Sequence, residues 1–121
     1  MRSTRTNEKL TRTAWTDSET KALIRLYCKM RKLEAKGLLG PKKSAGQQSK
    51  KQLVREWIAK HSPHRTNGSV DLKLMNISAS FVEHDLEPVA GYKPLPNRAK
   101  ALDDLVAAVM KIGIVLLTVA A

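Results

Sequence analysis

The sequence has one cysteine and only five aromatic residues among its 121 residues. With Cys28 alone, no disulfide can form within the chain, and no apolar stretch of a secretory signal opens the sequence, so the cytoplasm is the expected compartment. Because aromatics make up 4% of the residues, a core must be built mainly from Leu, Val, Ile, Ala and Met. That composition favours packed helices over strands. We therefore predict an all-α fold.

Residues with catalytic or metal-binding chemistry are also scarce. The three histidines and Cys28 do not form the two ligand pairs of a structural zinc site. The sequence contains no phosphate-cradling GxxxxGK[ST] loop and no Gly-x-Ser-x-Gly nucleophile elbow. Asp103 and Asp104 are adjacent on a predicted helix, so their carboxylates would point in different directions. We therefore predict a protein that is not an enzyme and has no metal or cofactor.

Acidic residues are few where basic residues are many. Residues 1–65 carry 17 basic and 5 acidic side chains, a net charge of +12, whereas residues 66–121 carry 5 basic and 6 acidic side chains, a net charge of −1. A continuous positive surface on the first half of the chain would most commonly bind a phosphate backbone. The alternative is that these basic residues only keep a small protein in solution.

The longest uncharged apolar run is IGIVLLTVAA, residues 112–121. A membrane-spanning helix needs roughly 20 apolar residues, so this run is too short to cross a bilayer. We expect it to pack on the domain or on a second copy of the chain. The sequence thus divides into a flexible basic arm (1–13), a helical domain (14–111) and an apolar C-terminal segment (112–121).

Hydrophobic spacing predicts four helices in the helical domain. The first begins at Thr16 and Glu19, which have the spacing of a capping box, and ends near Gly37. The second covers KKQLVREWIAKH and ends before Pro63, since the residue before proline is disfavoured in a helix. The intervening segment, LLGPKKSAGQQS, has the composition of a loop. Trp15 and Trp57 occupy core-facing positions, so packing is favoured over stacking on bases.

The third helix is predicted from about Gly68 to His84 and has two contrasting sides. Its apolar seam consists of Val70, Leu74, Ile77 and Phe81. A polar stripe, within an arc of roughly 60° on a helical wheel, consists of Ser69, Lys73, Asn76 and Ser80. A covered flank is expected at Leu72, Met75 and Ala79. Only the polar stripe, Asp71 and Ser78 would then face outward.

A proline-rich connection, DLEPVAGYKPLPN, follows the third helix and is expected to be extended and stiff. Asn97 is a plausible N-cap for the fourth helix, which has its apolar face at Leu102, Leu105, Val106 and Val109 and a possible end at Gly113.

Two stretches resemble known protein families. WTDSETKALIRLY resembles the opening of a Myb/SANT repeat, which implies three helices in a helix-turn-helix-like arrangement. Residues 65–97, RTNGSVDLKLMNISASFVEHDLEPVAGYKPLPN, resemble a segment of bacterial proteins that carry HNH-type restriction endonuclease domains. That resemblance implies a non-catalytic module preceding a nuclease, and the 24 residues after Asn97 contain no HNH motif.

These observations together predict a non-catalytic module that binds double-stranded DNA, with its third helix in the major groove. In this interpretation Asn76 pairs with adenine, Lys73 reaches guanine or a phosphate, and the basic arm follows phosphates or a minor groove. Tyr92 either contacts the partner or packs over the third helix. The candidate DNA-binding residues are Arg2, Arg5, Lys50, Lys51, Arg65, Ser69, Lys73, Asn76, Ser80, Tyr92 and Lys93. The alternative function is a protein-interaction module of a restriction or phage-related assembly.

Overall fold

The computed structural model describes residues 14–40 and 46–120, with side chains described as far as Met110. It contains four helices: α1 (Asp17–Ala35), α2 (Lys50–His61), α3 (Asn67–Glu83) and α4 (Lys100–Ala120). Two short strands, β1 (Leu39–Gly40) and β2 (Gln48–Ser49), pair in parallel between α1 and α2. The predicted all-α class is confirmed, and the small strand pair was not predicted.

Side-chain caps fix where the first three helices begin. The predicted capping box of α1 is confirmed: Thr16 Oγ1 accepts a hydrogen bond from the Glu19 backbone N–H at 3.0 Å, and the Glu19 carboxylate accepts one from the Thr16 N–H at 3.3 Å. Such caps satisfy backbone donors that have no partner within the helix. Ser49 caps α2 and Thr66 caps α3 in the same way, through one side-chain oxygen each.

Helix α3 contacts all three of the other helices, as does α1. The apolar seam is confirmed, because each of its four side chains is fully buried. Ser78 is also fully buried, and its Oγ lies 2.7 Å from the Tyr27 hydroxyl, which accepts a hydrogen bond from the Val89 N–H. The prediction that Ser78 faces outward is therefore wrong. Leu72, placed on the covered flank, is 54% exposed.

The two tryptophans pack as predicted at the junction of α1 and α2. Their ring centroids lie 6.1 Å apart with an interplanar angle of 25°, and Trp57 is buried. Each large ring removes apolar surface from water and fixes the approach of neighbouring elements. The segment before α1 is therefore held against the helical core by Trp15.

The predicted extended connection between α3 and α4 lies against α3. The Leu95 N–H donates a hydrogen bond to the Met75 carbonyl at 3.0 Å. Gly91 has a φ of +91°, a conformation that favours glycine, and the turn there brings the Ala90 carbonyl to within 2.7 Å of Lys50 Nζ. Tyr92 is buried, and Lys50 Nζ lies over its ring at 5.3 Å from the ring centroid.

The last helix packs through its predicted apolar face, with Leu102 and Val106 buried and Leu105 and Val109 packed beside them. Helix α4 continues to Ala120, so the predicted end at Gly113 is wrong. The predicted packing of residues 112–121 concerns side chains outside the described part and stays a prediction. In the described residues, no helix has the length and apolar character needed to cross a membrane.

Candidate nucleic-acid interface

The polar stripe of α3 is largely covered by the rest of the protein. Asn76 Nδ2 donates hydrogen bonds to the carbonyl oxygens of Leu95, at 2.8 Å, and Asn97, at 3.2 Å. Ser80 is fully buried. The proposed contacts of Asn76 with adenine and of Ser80 with DNA are therefore wrong, because the connection to α4 and the protein interior occupy the positions expected for DNA.

Arg65 is buried rather than exposed to a phosphate backbone. Its Nε lies 2.5 Å from Glu19 Oε2 and its Nη2 lies 2.9 Å from Oε1, while Nη2 also donates to the Ala14 carbonyl. The guanidinium carbon sits 4.0 Å from the centroid of the Trp15 ring. This two-point pairing with a carboxylate is a strong charged contact. The prediction that Arg65 contacts DNA is therefore wrong, because its guanidinium is used inside the protein.

The other two members of the polar stripe are half-buried. The Ser69 hydroxyl donates to the Thr66 carbonyl at 3.0 Å. Lys73 Nζ lies 5.4 Å from the Trp15 ring centroid, and burial, together with the neighbouring charge of Arg65, lowers the pKa of the Lys73 ammonium. Both side chains have local roles in the protein, and their contact with DNA stays a prediction.

Three other candidate residues, Lys50, Lys51 and Tyr92, meet around a small cavity between α2, α3 and the turn at Gly91. Tyr92 is buried, which matches the packing alternative, and burial followed by the nearby Asp71 carboxylate raises the pKa of its hydroxyl. The carboxylate of Asp71 also lines this cavity, so it partly offsets the positive charges of Lys50 and Lys51.

The remaining predicted contacts lie at the edges of the structure. Lys93 follows Tyr92 and is exposed. Arg2 and Arg5 lie outside the described residues.

The Asn76→Ala variant separates a structural role from a DNA-binding role. Two carbonyl oxygens lose their donor, so we expect the free energy of unfolding to fall by about 1–3 kcal/mol, while affinity for duplex DNA stays within about twofold. Thermal denaturation and a DNA titration of the folded variant measure these two quantities. Unchanged stability with a large loss of affinity would contradict the observed role of Asn76.

A further positive surface, which was not predicted from the sequence, lies on α1. Its members share one side of the helix, within an arc of about 80° at 100° per residue. We call this surface the basic face of α1, and it consists of Lys21, Arg25, Lys29, Lys32 and Lys36. The first is half-buried and the other four are exposed. At 1.5 Å per residue the face is about 22 Å long.

One acidic side chain borders the basic face of α1: Asp17 lies one turn before Lys21. None of the five charged groups of the basic face forms a hydrogen bond or an ion pair within residues 14–40 and 46–110. The acidic residues Glu19 and Glu34 of α1 point elsewhere: Glu19 pairs with Arg65, and Glu34 accepts a hydrogen bond from the Ala90 N–H. The core residues Leu23 and Tyr27 lie on the opposite side of the helix. The positive charge of this face is therefore directed at solvent.

A groove of about 610 Å³ lies between α1, the Pro88 region and α4. Cys28 lines it and lies 3.7 Å from the sulfur of Met110. Burial raises the pKa of the Cys28 thiol, which keeps it protonated and unreactive near neutral pH. Within residues 14–40 and 46–120, no cluster of three His, Cys, Asp or Glu side chains is placed to hold a metal ion.

Comparisons of this chain with known protein families, with curated proteins and with solved structures found no match.

Proposed function

We propose that this domain binds DNA without cutting it, and that the basic face of α1 lies along the phosphate backbone. The observation that carries the proposal is the alignment of five cations, none of them in an ion pair among the described residues, along one side of α1 and its C-cap residue Lys36. Lysine and arginine side chains on such a surface neutralise phosphates and release condensed counterions, which drives association. Contacts of this kind position a protein on a duplex.

The dimensions of the basic face suit a DNA backbone. At about 22 Å it is as long as roughly six base pairs of B-DNA, since base pairs are spaced about 3.4 Å along the axis. The lysine side chains are long and flexible, so their ammonium groups can adjust to phosphate positions. Lys42 and Lys43 add to the positive charge of this half of the sequence.

The burial of α3 changes the docking geometry that a helix-turn-helix resemblance implies. A recognition helix needs an open face to enter the major groove. Between Leu74 and Phe81, α3 is covered by α1, α4 and the connection at Leu95. We therefore assign DNA contact to α1, and the proposed role as a module that holds DNA near a separate nuclease follows the resemblance of residues 65–97.

The salt dependence of binding tests the proposal. If the five cations of the basic face each neutralise one phosphate, log K should fall against log salt with a slope of about −4.5. Affinity for a 20-base-pair duplex should then drop about 500-fold between 50 and 200 mM salt, which fluorescence anisotropy can follow. A slope near zero, or no binding at 50 mM salt, would rule out this function.

Exposed apolar side chains on α3 favour protein interaction as a second candidate function. Leu72 is 54% exposed and Val82 is 48% exposed. Such residues occur singly on many surfaces, but this sequence also contains the uncharged apolar run of residues 112–121. Association with a protein that persists in 0.5 M salt and is weakened by Leu72→Gln would favour this function over DNA binding.

A further inference from the structure

We infer that the domain binds duplex DNA through its charge density alone, without recognising base sequence, and that it prefers duplex to single-stranded DNA. This inference rests on the proposed function, because it describes the partner of the basic face of α1. It follows from which side chains remain accessible on that face and which are used inside the protein.

The basic face contains four lysines and one arginine. Asparagine and glutamine, the side chains that pair with adenine through two hydrogen bonds, are absent from it. The asparagine placed by sequence in that role, Asn76, donates instead to two backbone carbonyls. A lysine ammonium acts as a flexible point charge, which suits phosphate oxygens and discriminates poorly between bases.

The aromatic rings that single-stranded DNA would need for base stacking are occupied. All five aromatic residues lie within the described residues, and each ring has a partner inside the protein. Trp15 stacks on Trp57 and is covered by the Arg65 guanidinium, whereas Phe81 packs at 4.6 Å from Tyr27. Tyr92 lies beneath Lys50. Stacking platforms supply much of the affinity of single-strand-binding proteins, so the main attraction left here is electrostatic.

Electrostatic attraction favours the duplex over the single strand. A duplex carries one phosphate charge per about 1.7 Å of axis, and this density gives a salt slope of about −0.9 per neutralised phosphate against about −0.7 for a single strand. For five contacts the salt slopes of duplex and single strand differ by about 1.0, because each contact contributes a difference of about 0.2. At 0.1 M salt this slope difference corresponds to about tenfold in affinity.

Two other side chains capable of base contact, Arg55 and Asn67, lie on α2 and α3 and not on the basic face. Arg55 and Asn67 border a different cavity, together with Lys51 and Asp71. On a helical wheel Arg55 points about 160° away from Trp57, the residue through which α2 meets Trp15 beside α1. A duplex lying on α1 is therefore contacted by the charged side chains of that helix.

A competition experiment on the full chain tests this inference. A labelled 20-base-pair duplex is displaced by unlabelled A·T-rich, G·C-rich and mixed duplexes, and by the single strands of the mixed duplex, at 0.1 M salt. We expect the three duplexes to compete within about threefold of one another and the single strands to compete about tenfold more weakly. One preferred duplex by more than about 30-fold would overturn the inference, since single base contacts discriminate by this order. Equal or tighter binding of single strands would also overturn it.

The Arg25→Lys variant provides a second measurement. Lysine keeps the phosphate contact but loses the paired hydrogen bonds with which arginine recognises guanine. We expect the ratio of affinities for the G·C-rich and A·T-rich duplexes to stay within about threefold of its native value, and a selective loss on the G·C-rich duplex would contradict the inference. Failure of the proposed function is distinguishable, because in that case no duplex binds or the salt slope is absent.

Discussion

Replacing Arg25, Lys29 and Lys32 by glutamine is expected to weaken duplex-DNA binding about 100-fold at 0.15 M salt. Each phosphate that the basic face of α1 no longer neutralises makes the slope of log K against log salt shallower by about 0.9, which at this concentration corresponds to roughly fivefold in affinity. The three substitutions together should therefore make the slope shallower by about 2.7. Glutamine has a helix propensity close to those of lysine and arginine, so thermal stability should be nearly unchanged.

A matched control replaces Lys51, Lys93 and Lys100 by glutamine. These three lysines are exposed and lie outside α1, and their replacement removes the same net charge. Because distant surface charges are screened at this salt concentration, we expect a loss of less than about fivefold. Equal losses in the two variants would show that binding follows net charge and not the basic face. A larger loss in the control would favour an interface around Lys51 and Lys93.

The parts of the fold that depend on near neighbours in sequence were predictable. The Thr16–Glu19 capping box joins residues three apart, and the buried seam of α3 follows from helical spacing alone. The burial of Trp57 followed from its position on the apolar side of α2. These features need only the local geometry of a helix, which the sequence specifies directly.

The predicted DNA contacts of Asn76 and Arg65 were wrong because the partners of these side chains within the protein are distant in sequence. Ser and Asn on a helix indicate hydrogen bonding, but they do not indicate whether the partner is DNA or the protein itself. Asn76 finds its acceptors 19 and 21 residues later, and Arg65 finds Glu19 46 residues earlier. The Gly91 turn and the path of the connection determine the first pairing, and neither follows from periodicity.

The basic face of α1, in contrast, was present in the sequence. Lys21, Arg25, Lys29, Lys32 and Lys36 are spaced by four, four, three and four residues, which places them on one side of a helix. Total charge over residues 1–65 indicated a positive surface, but it did not distinguish Arg65, which is buried with a carboxylate, from exposed lysines. Placing the charges of each helix on a wheel would have located the face before the structure was known.

The buried ion pair between Arg65 and Glu19 makes the second strong prediction, which concerns stability. The Arg65→Ala variant is expected to lower the free energy of unfolding by about 3 kcal/mol, because it leaves a nearly buried carboxylate without its main cationic partner. It also removes the contact with the Trp15 ring and the hydrogen bond to the Ala14 carbonyl. Chemical denaturation at pH 7 measures the difference.

The same pair makes stability depend on acid. Burial alone would raise the pKa of the Glu19 carboxyl, but hydrogen bonds from Arg65, Ser62 and the Thr16 N–H lower it from 4.5 to about 2. Since the folded pKa lies below the unfolded value, protons bind preferentially to the unfolded chain. The stabilisation, about 3 kcal/mol for this shift, is complete above about pH 4.5 and is lost as the pH falls towards 2.

The Glu19→Gln variant tests the assignment of this acid response. Glutamine does not titrate, so the variant should be less stable than the native chain at pH 7, and the difference should shrink as the pH falls from 4.5 towards 2. Glu87→Gln is the matched control, because Glu87 is exposed and its replacement should leave the pH profile unchanged. If the native chain and Glu19→Gln lost stability in parallel over this range, the acid response would belong to other carboxylates. If Arg65→Ala were as stable as the native chain, the ion pair would not hold the start of α1 to the turn between α2 and α3.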